Sequence, residues 1–185
     1  MSAILLTPPA AEPWTVTDAK AFLRVEHDDD DVIIASLIAA ARGQVEALTR
    51  RALLTQTWRF VLDRWPADGR LSLRMGPLRS VIAARVYDTA NNASAIDLES
   101  FVVDIAANVI ASPCWAMPVP GRATAGIELD VQLGYGALAG DVPDPLRHAI
   151  GMLVAHWYEN RAAIGAAMLP AGLGALIAPY RVLSL

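Results

Sequence analysis

The chain has 185 residues, long enough for one domain with its own hydrophobic core plus arms. Hydrophobic residues make up 55% of it and charged residues 18%, which excludes disorder along most of its length. The single cysteine, Cys114, excludes an internal disulfide and a cysteine-based zinc site.

The net charge of −4 is unevenly spread. Arg50, Arg51, Arg59, Arg64, Arg70, Arg74, Arg79 and Arg85 stand against only Asp63 and Asp68 in one segment. Eight positive and two negative groups make that segment +6, leaving −10 for the rest. Such asymmetry suits an anionic partner, or subunits that meet basic face to acidic face. No lysine-rich tract accompanies it, so direct DNA binding is the lesser reading.

Residues 1–14 carry Pro8, Pro9 and Pro13 and read as an extended arm. They lack the basic start and long apolar run of a secretory signal, so synthesis in a reducing cytoplasm is expected. "WTVTDAKAFLRV" predicts a short helix capped by Thr15 or Thr17, with Asp18 at its positive end.

"DDDDVIIASLIAAARGQVEALTR" predicts a long helix. Ile33, Ile34, Leu37, Ile38, Ala41, Val45 and Leu48 recur at three- and four-residue spacing. The aspartates at 28–31 lack the alternation, glycine and distant glutamate of a calcium loop, so they read as cap and dipole compensation.

From Thr55 the period changes to two. "TQTWRFVLD", "RLSLRM", "SVIAARVYD", "SFVVDI" and "IELDVQL" predict about five or six short strands in a mostly antiparallel sheet. Residues 106–126 read as a long loop with weak strand character.

"VPDPLRHAIGMLVAHWYENR" returns to helix, entered through Pro143, Asp144 and Pro145. Leu146, Ala149, Ile150, Leu153, Val154, Trp157 and Tyr158 share its apolar face. His148 and His156 lie about 80° apart around such a helix, so they do not converge on a metal. His156 and Glu159 make an ordinary surface pair, and no nucleophile or phosphate loop accompanies them.

Residues 162–180 contain no charge. Pro170, Gly172, Gly174 and Pro179 interrupt the run too often for a membrane span. It can fold onto its own domain or dock on a partner. Leu169, Leu173, Leu176 and Ile177 have helical spacing, and each contributes about 1.5–3 kcal/mol when fully buried. Left wet, they would be an aggregation hazard. A docking tail over residues 162–185, with Tyr180 among its anchors, is the expectation.

The stretches "FLRVEHDDDDVIIASLIAAARGQVEALTRRALLTQTWRFVLDRWP", "GPLRSV", "LGYG", "VPDPLRHAIGMLVAHWYENR" and "LIAPYRVL" together resemble the head–tail connector proteins, or adaptors, of long-tailed bacteriophages. These also occur in prophages and gene transfer particles. The likeness runs from about Asp18 to Leu183; residues 89–125 match no part of that pattern.

The resemblance implies an α+β fold: a small helical bundle of two main helices and short terminal ones, packed with the sheet. The connector domain would span residues 15–161. It implies a ring of about a dozen copies beneath the portal, extending the DNA channel toward a downstream tail or stopper protein. DNA would pass without sequence-specific binding. The place is the neck of a virion or phage-like particle, after synthesis in the host cytoplasm.

No enzyme activity, cofactor, metal or membrane contact is expected. Leu169, Leu173, Leu176, Ile177 and Tyr180 are the expected portal-docking residues. Arg50, Arg51, Arg59, Arg64 and Arg74 are the expected contacts with ring neighbours. The alternatives are a membrane-associated protein using the apolar tail, or a small enzyme using His156, Glu159 or Asp144.

Overall fold

Thr15 starts the first helix, α1 (Val16–Leu23), through a reciprocal cap. Its hydroxyl accepts from the Asp18 amide at 3.0 Å, and the Asp18 carboxylate accepts from the Thr15 amide at 3.2 Å. The second helix, α2 (Asp31–Thr49), buries Ile34, Ile38, Ala41 and Val45 on one stripe, as the 3.6-residue period requires. Both helices end on an arginine in the left-handed region, Arg24 at φ 58° and Arg50 at φ 55°.

In the computed structural model, which describes residues 1–113, 117–160 and 169–182, the chain forms two units. Residues 10–54 and 136–185 make a helical unit; residues 1–9 and 55–135 make a β unit.

The helical unit is completed by α3 (Asp144–Glu159) and the short α4 (Leu173–Ile177). Helices α2 and α3 pack on each other, α1 lies against both, and α4 lies on α3. Gly151 of α3 admits the Trp14 ring. A Cβ there would sit 2.7 Å from the indole edge, so only glycine allows this approach.

The aspartate run does more than the expected capping. Asp30 makes no side-chain cap; its carboxylate accepts from the Tyr158 hydroxyl at 2.6 Å and so ties the start of α2 to α3. Asp28 and Asp31 both pair with Lys20 of α1.

The β unit holds β1 (Ser2–Thr7), β2 (Gln56–Leu62), β3 (Arg70–Ser72), β4 (Leu78–Tyr87), β5 (Ala93–Ala95), β6 (Val102–Asp104), β7 (Val109–Ala111) and β8 (Ile127–Leu133). The large sheet has the order β1-β2-β8-β4-β5, every pair antiparallel. A small antiparallel sheet has the order β3-β7-β6.

Strand alternation sorts the large sheet into two faces. On β8, Ile127, Leu129, Val131 and Leu133 are fully buried. Leu129 lines an apolar space with Leu71 and Ile110 of the small sheet and with Met117, so the small sheet covers this face. The opposite face carries Glu128, Asp130 and Gln132.

The fold is α+β with antiparallel sheets, as the sequence implied, but with eight strands in two sheets among the described residues rather than five or six in one. Strands β3 and β6 fall in stretches read as strands, whereas β5 and β7 are three residues each, too short to show a period. The stretch expected as a free arm contributes β1. Its six residues after Met1 are uncharged, mostly apolar and able to extend the ladder of β2, and the prolines begin only where the strand stops.

Candidate assembly surfaces

Register across the large sheet builds its main polar cluster. Arg59 of β2 lies opposite Asp130 of β8, and Arg85 of β4 lies opposite Glu128. Arg59 donates through Nε to Asp130 Oδ1 at 2.7 Å and through Nη2 to Oδ2 at 3.0 Å. Arg85 Nη1 donates to Asp130 Oδ2 at 2.8 Å. Arg59 Nη1 also lies 3.1 Å from Glu128 Oε2. Two guanidinium groups and two carboxylates cancel. The hydrogen bond from Arg59, joined by Arg85, holds the Asp130 carboxyl below its ordinary pKa although burial pushes the other way.

The five arginines expected at ring neighbours therefore divide. Arg59 has its partners within its own sheet. Arg51 donates through Nε to the Tyr180 carbonyl at 2.6 Å. Arg50, Arg64 and Arg74 are exposed and have no side-chain partner among the described residues.

Part of the expected tail packs on its own chain. Leu173 and Ile177, one helical turn apart on α4, are 0% and 1% exposed within the chain itself. The segment is tied to the end of α2. The Val182 amide donates to the Thr49 carbonyl at 3.0 Å, and Arg181 Nε to the Leu48 carbonyl at 3.3 Å. Those carbonyls have no partner inside α2, so the tail satisfies them. No second subunit is needed to shelter Leu173 and Ile177. Leu169 remains exposed, and Leu176 and Tyr180 are half-buried. The part of the expected tail at 162–168 lies outside the described residues.

The polar residues of α3 do not converge. His148 sits edge-on to the Phe22 ring, with centroids 6.3 Å apart. His156 Nδ1 lies 3.5 Å from the Asn160 amide nitrogen, and Asp144 accepts from Arg147 at 3.5 Å. Glu159 is exposed. Among the described residues, no three His, Cys, Asp or Glu side chains group closely enough to hold a metal ion.

Helix α2 is long and apolar enough to cross a bilayer by length and composition. Its buried stripe packs within the bundle, and its Arg42 is paired with Glu12 at 2.7 Å and Glu46 at 2.8 Å. Its outward positions are unusual. Val32, Ile33, Ala35, Ser36, Ala40, Gly43 and Ala47 are exposed, and none carries charge.

The sheet's central charges are paired within the chain, Arg50, Arg64 and Arg74 have no partner among the described residues, and the outer positions of α2 are uncharged. Residues 14–103 match the family of phage gp6-like head-tail connector proteins. The match takes in residues 89–103, part of the stretch that had no counterpart in the sequence pattern. No curated protein sequence matches the chain.

Among solved structures, the chain is similar to one in the neck of an empty gene transfer agent particle, resolved with sixfold symmetry. Identity is 25% and the TM-score 0.85, over 100% of this chain and 97% of that one. A chain in the virion of a native gene transfer agent particle matches at 26% identity, TM-score 0.85 and the same coverage. A third, from the neck of the native particle resolved with twelvefold symmetry, matches at 26% identity and TM-score 0.75, again over 100% and 97%. Residues 14–103 carry a likeness to phage gp6-like head-tail connector proteins, and the whole chain is similar in fold to chains of gene transfer agent necks.

Proposed function

We propose that the chain is a non-enzymatic ring subunit in the neck of a phage-like particle, seated between the portal and the tail. The observation that carries this reading is the likeness to neck chains over the whole length, with nearly complete coverage of both partners. The uncharged outer face of α2 supports it, because such a face suits a subunit hemmed in by other subunits.

In this reading about a dozen copies close head to tail, each presenting two unlike surfaces. Arg50, Arg64 and Arg74 are the arginines available to meet neighbouring copies. Leu169, Leu176 and Tyr180 keep surface for the portal, with Leu173 and Ile177 as their footing. A tail or stopper protein lies on the other side, and DNA passes through unread. The net charge of −4 suits a conduit, since a strongly basic lining would retain phosphates. No cofactor or membrane takes part.

Deletion of the chain in a particle-producing host tests this. Filled heads and separate tails should accumulate, and the intact chain supplied in trans should restore joined particles. Normal yields of joined particles without the chain would overturn the proposal.

A further inference from the structure

We infer that the two free edges of the large sheet are the matching halves of the joint between copies, so that β1 of one copy pairs with β5 of the next. This rests on the ring reading above.

All six residues of β1 are exposed, with Ile4 at 49%, Leu5 at 43% and Leu6 at 42%. One side of β1 pairs with β2; no strand lies along its other side among the described residues. Open edges are normally blunted by charge, proline, bulges or shortness. Between Ser2 and Thr7 there is no charge and no proline, and the only irregularity falls at the Leu5 to Thr7 end. An apolar edge of this kind recruits another strand.

At the far end of the same sheet, β5 is also exposed and uncharged, and no strand lies along its outer side among the described residues. Its side chains are Ala93, Ser94 and Ala95. They are small enough to let the bulkier side chains of β1 lie across them.

The occupant of each edge is then a second copy of this chain. A closed head-to-tail ring needs two different surfaces per copy, and the sheet supplies one at each end. A joint of β1 with β1 would stop at two copies and leave β5 bare. Strand direction fits as well. Neighbours alternate in the order β1-β2-β8-β4-β5, so β1, β8 and β5 run the same way. A neighbour added beside β5 without reversing direction meets it as a parallel pair.

Register brings the two edges to the same end of the sheet. Ser2 lies opposite Val61, Val61 opposite Glu128, Glu128 opposite Arg85 and Arg85 opposite Ala95. Ser2 therefore stands level with Ala95, and Ala3 lies one residue past it.

Cysteine cross-linking within assembled particles tests the joint. Ala3→Cys and Ala95→Cys are placed together in a chain carrying Cys114→Ser, and particles are treated with a short bismaleimide. The double variant should give a ladder of dimers, trimers and higher multimers, and each single variant none. A dimer from Ala3→Cys alone, a cross-link to a different protein, or incorporation of the double variant without a ladder would overturn the inference. Absence of the chain from particles made with the unaltered sequence would instead overturn the ring reading. As a second variant, Ile4→Lys, which places a charge on the exposed edge of β1, should lower incorporation, and unchanged incorporation would contradict a joint at that edge.

Discussion

Arg59 and Asp130, 71 residues apart in sequence, face each other across β2 and β8 and join through two hydrogen bonds of 2.7 and 3.0 Å. This fork, with Arg85 as a second donor, locks the register of three central strands. Replacing Asp130 by alanine leaves two arginines with Glu128 as their one remaining carboxylate in the cluster. Loss of one partner of a buried pair costs about 3–5 kcal/mol. The Arg59 side chain is 26% exposed, which reduces the expected loss to about 2–4 kcal/mol. Urea unfolding of Asp130→Ala measures it; an unchanged midpoint would contradict the assignment.

The same fork predicts a pH dependence. Asp130 titrates in the folded chain below its ordinary value of 3.8. A depressed carboxyl contributes stability that is fully present above the unfolded value and is lost as pH falls through the folded one. Thermal midpoints should therefore hold steady well above pH 4 and drop as the solution becomes more acidic. Asp130→Asn should flatten that drop. An equally steep drop in the variant would assign the acid sensitivity to other groups.

Leu173 should stabilise the free chain, since it is fully buried on its own helical unit. Leu173→Ala is expected to cost about 2–5 kcal/mol in the isolated protein. A docking tail that found shelter only on another subunit would leave the isolated variant as stable as the parent.

Gly43 gives the opposite sign. It lies inside α2, and a Cβ there would meet nothing within 4 Å. Gly43→Ala should stabilise the free chain by about 1 kcal/mol, the usual penalty of glycine in a helix. A destabilised Ala variant would mean that the helix needs glycine for its own packing.

Thr15→Ala removes the hydroxyl from the reciprocal cap of α1 and should cost about 1 kcal/mol. Faster hydrogen exchange confined to the first turn of α1 would accompany it. Protection unchanged at Asp18, whose amide bonds the hydroxyl, would contradict the cap.

The helices were legible in the sequence because a buried stripe repeats every three or four residues, and α2 and α3 each show several repeats. Strands β2, β3, β4, β6 and β8 were legible by alternation. Strand β1 was hidden by the three prolines that follow it, which favour extended chain without naming a neighbour. The partner of Arg59 could not be read, because a match 71 residues away depends on register. The apolar spacing of Leu173 and Ile177 marked them for burial, but spacing alone does not say which surface buries them. The spacing of His148 and His156 set the two apart, and the structure places them with Phe22 and Asn160 respectively.

The central claim is that this chain is a ring subunit of a particle neck. Electron cryo-microscopy of particles purified from a producing host tests it most directly. The account predicts a ring of density between portal and tail that the chain fits along its length, with β1 of each copy beside β5 of the next. Joined particles whose neck is complete without this chain would contradict it.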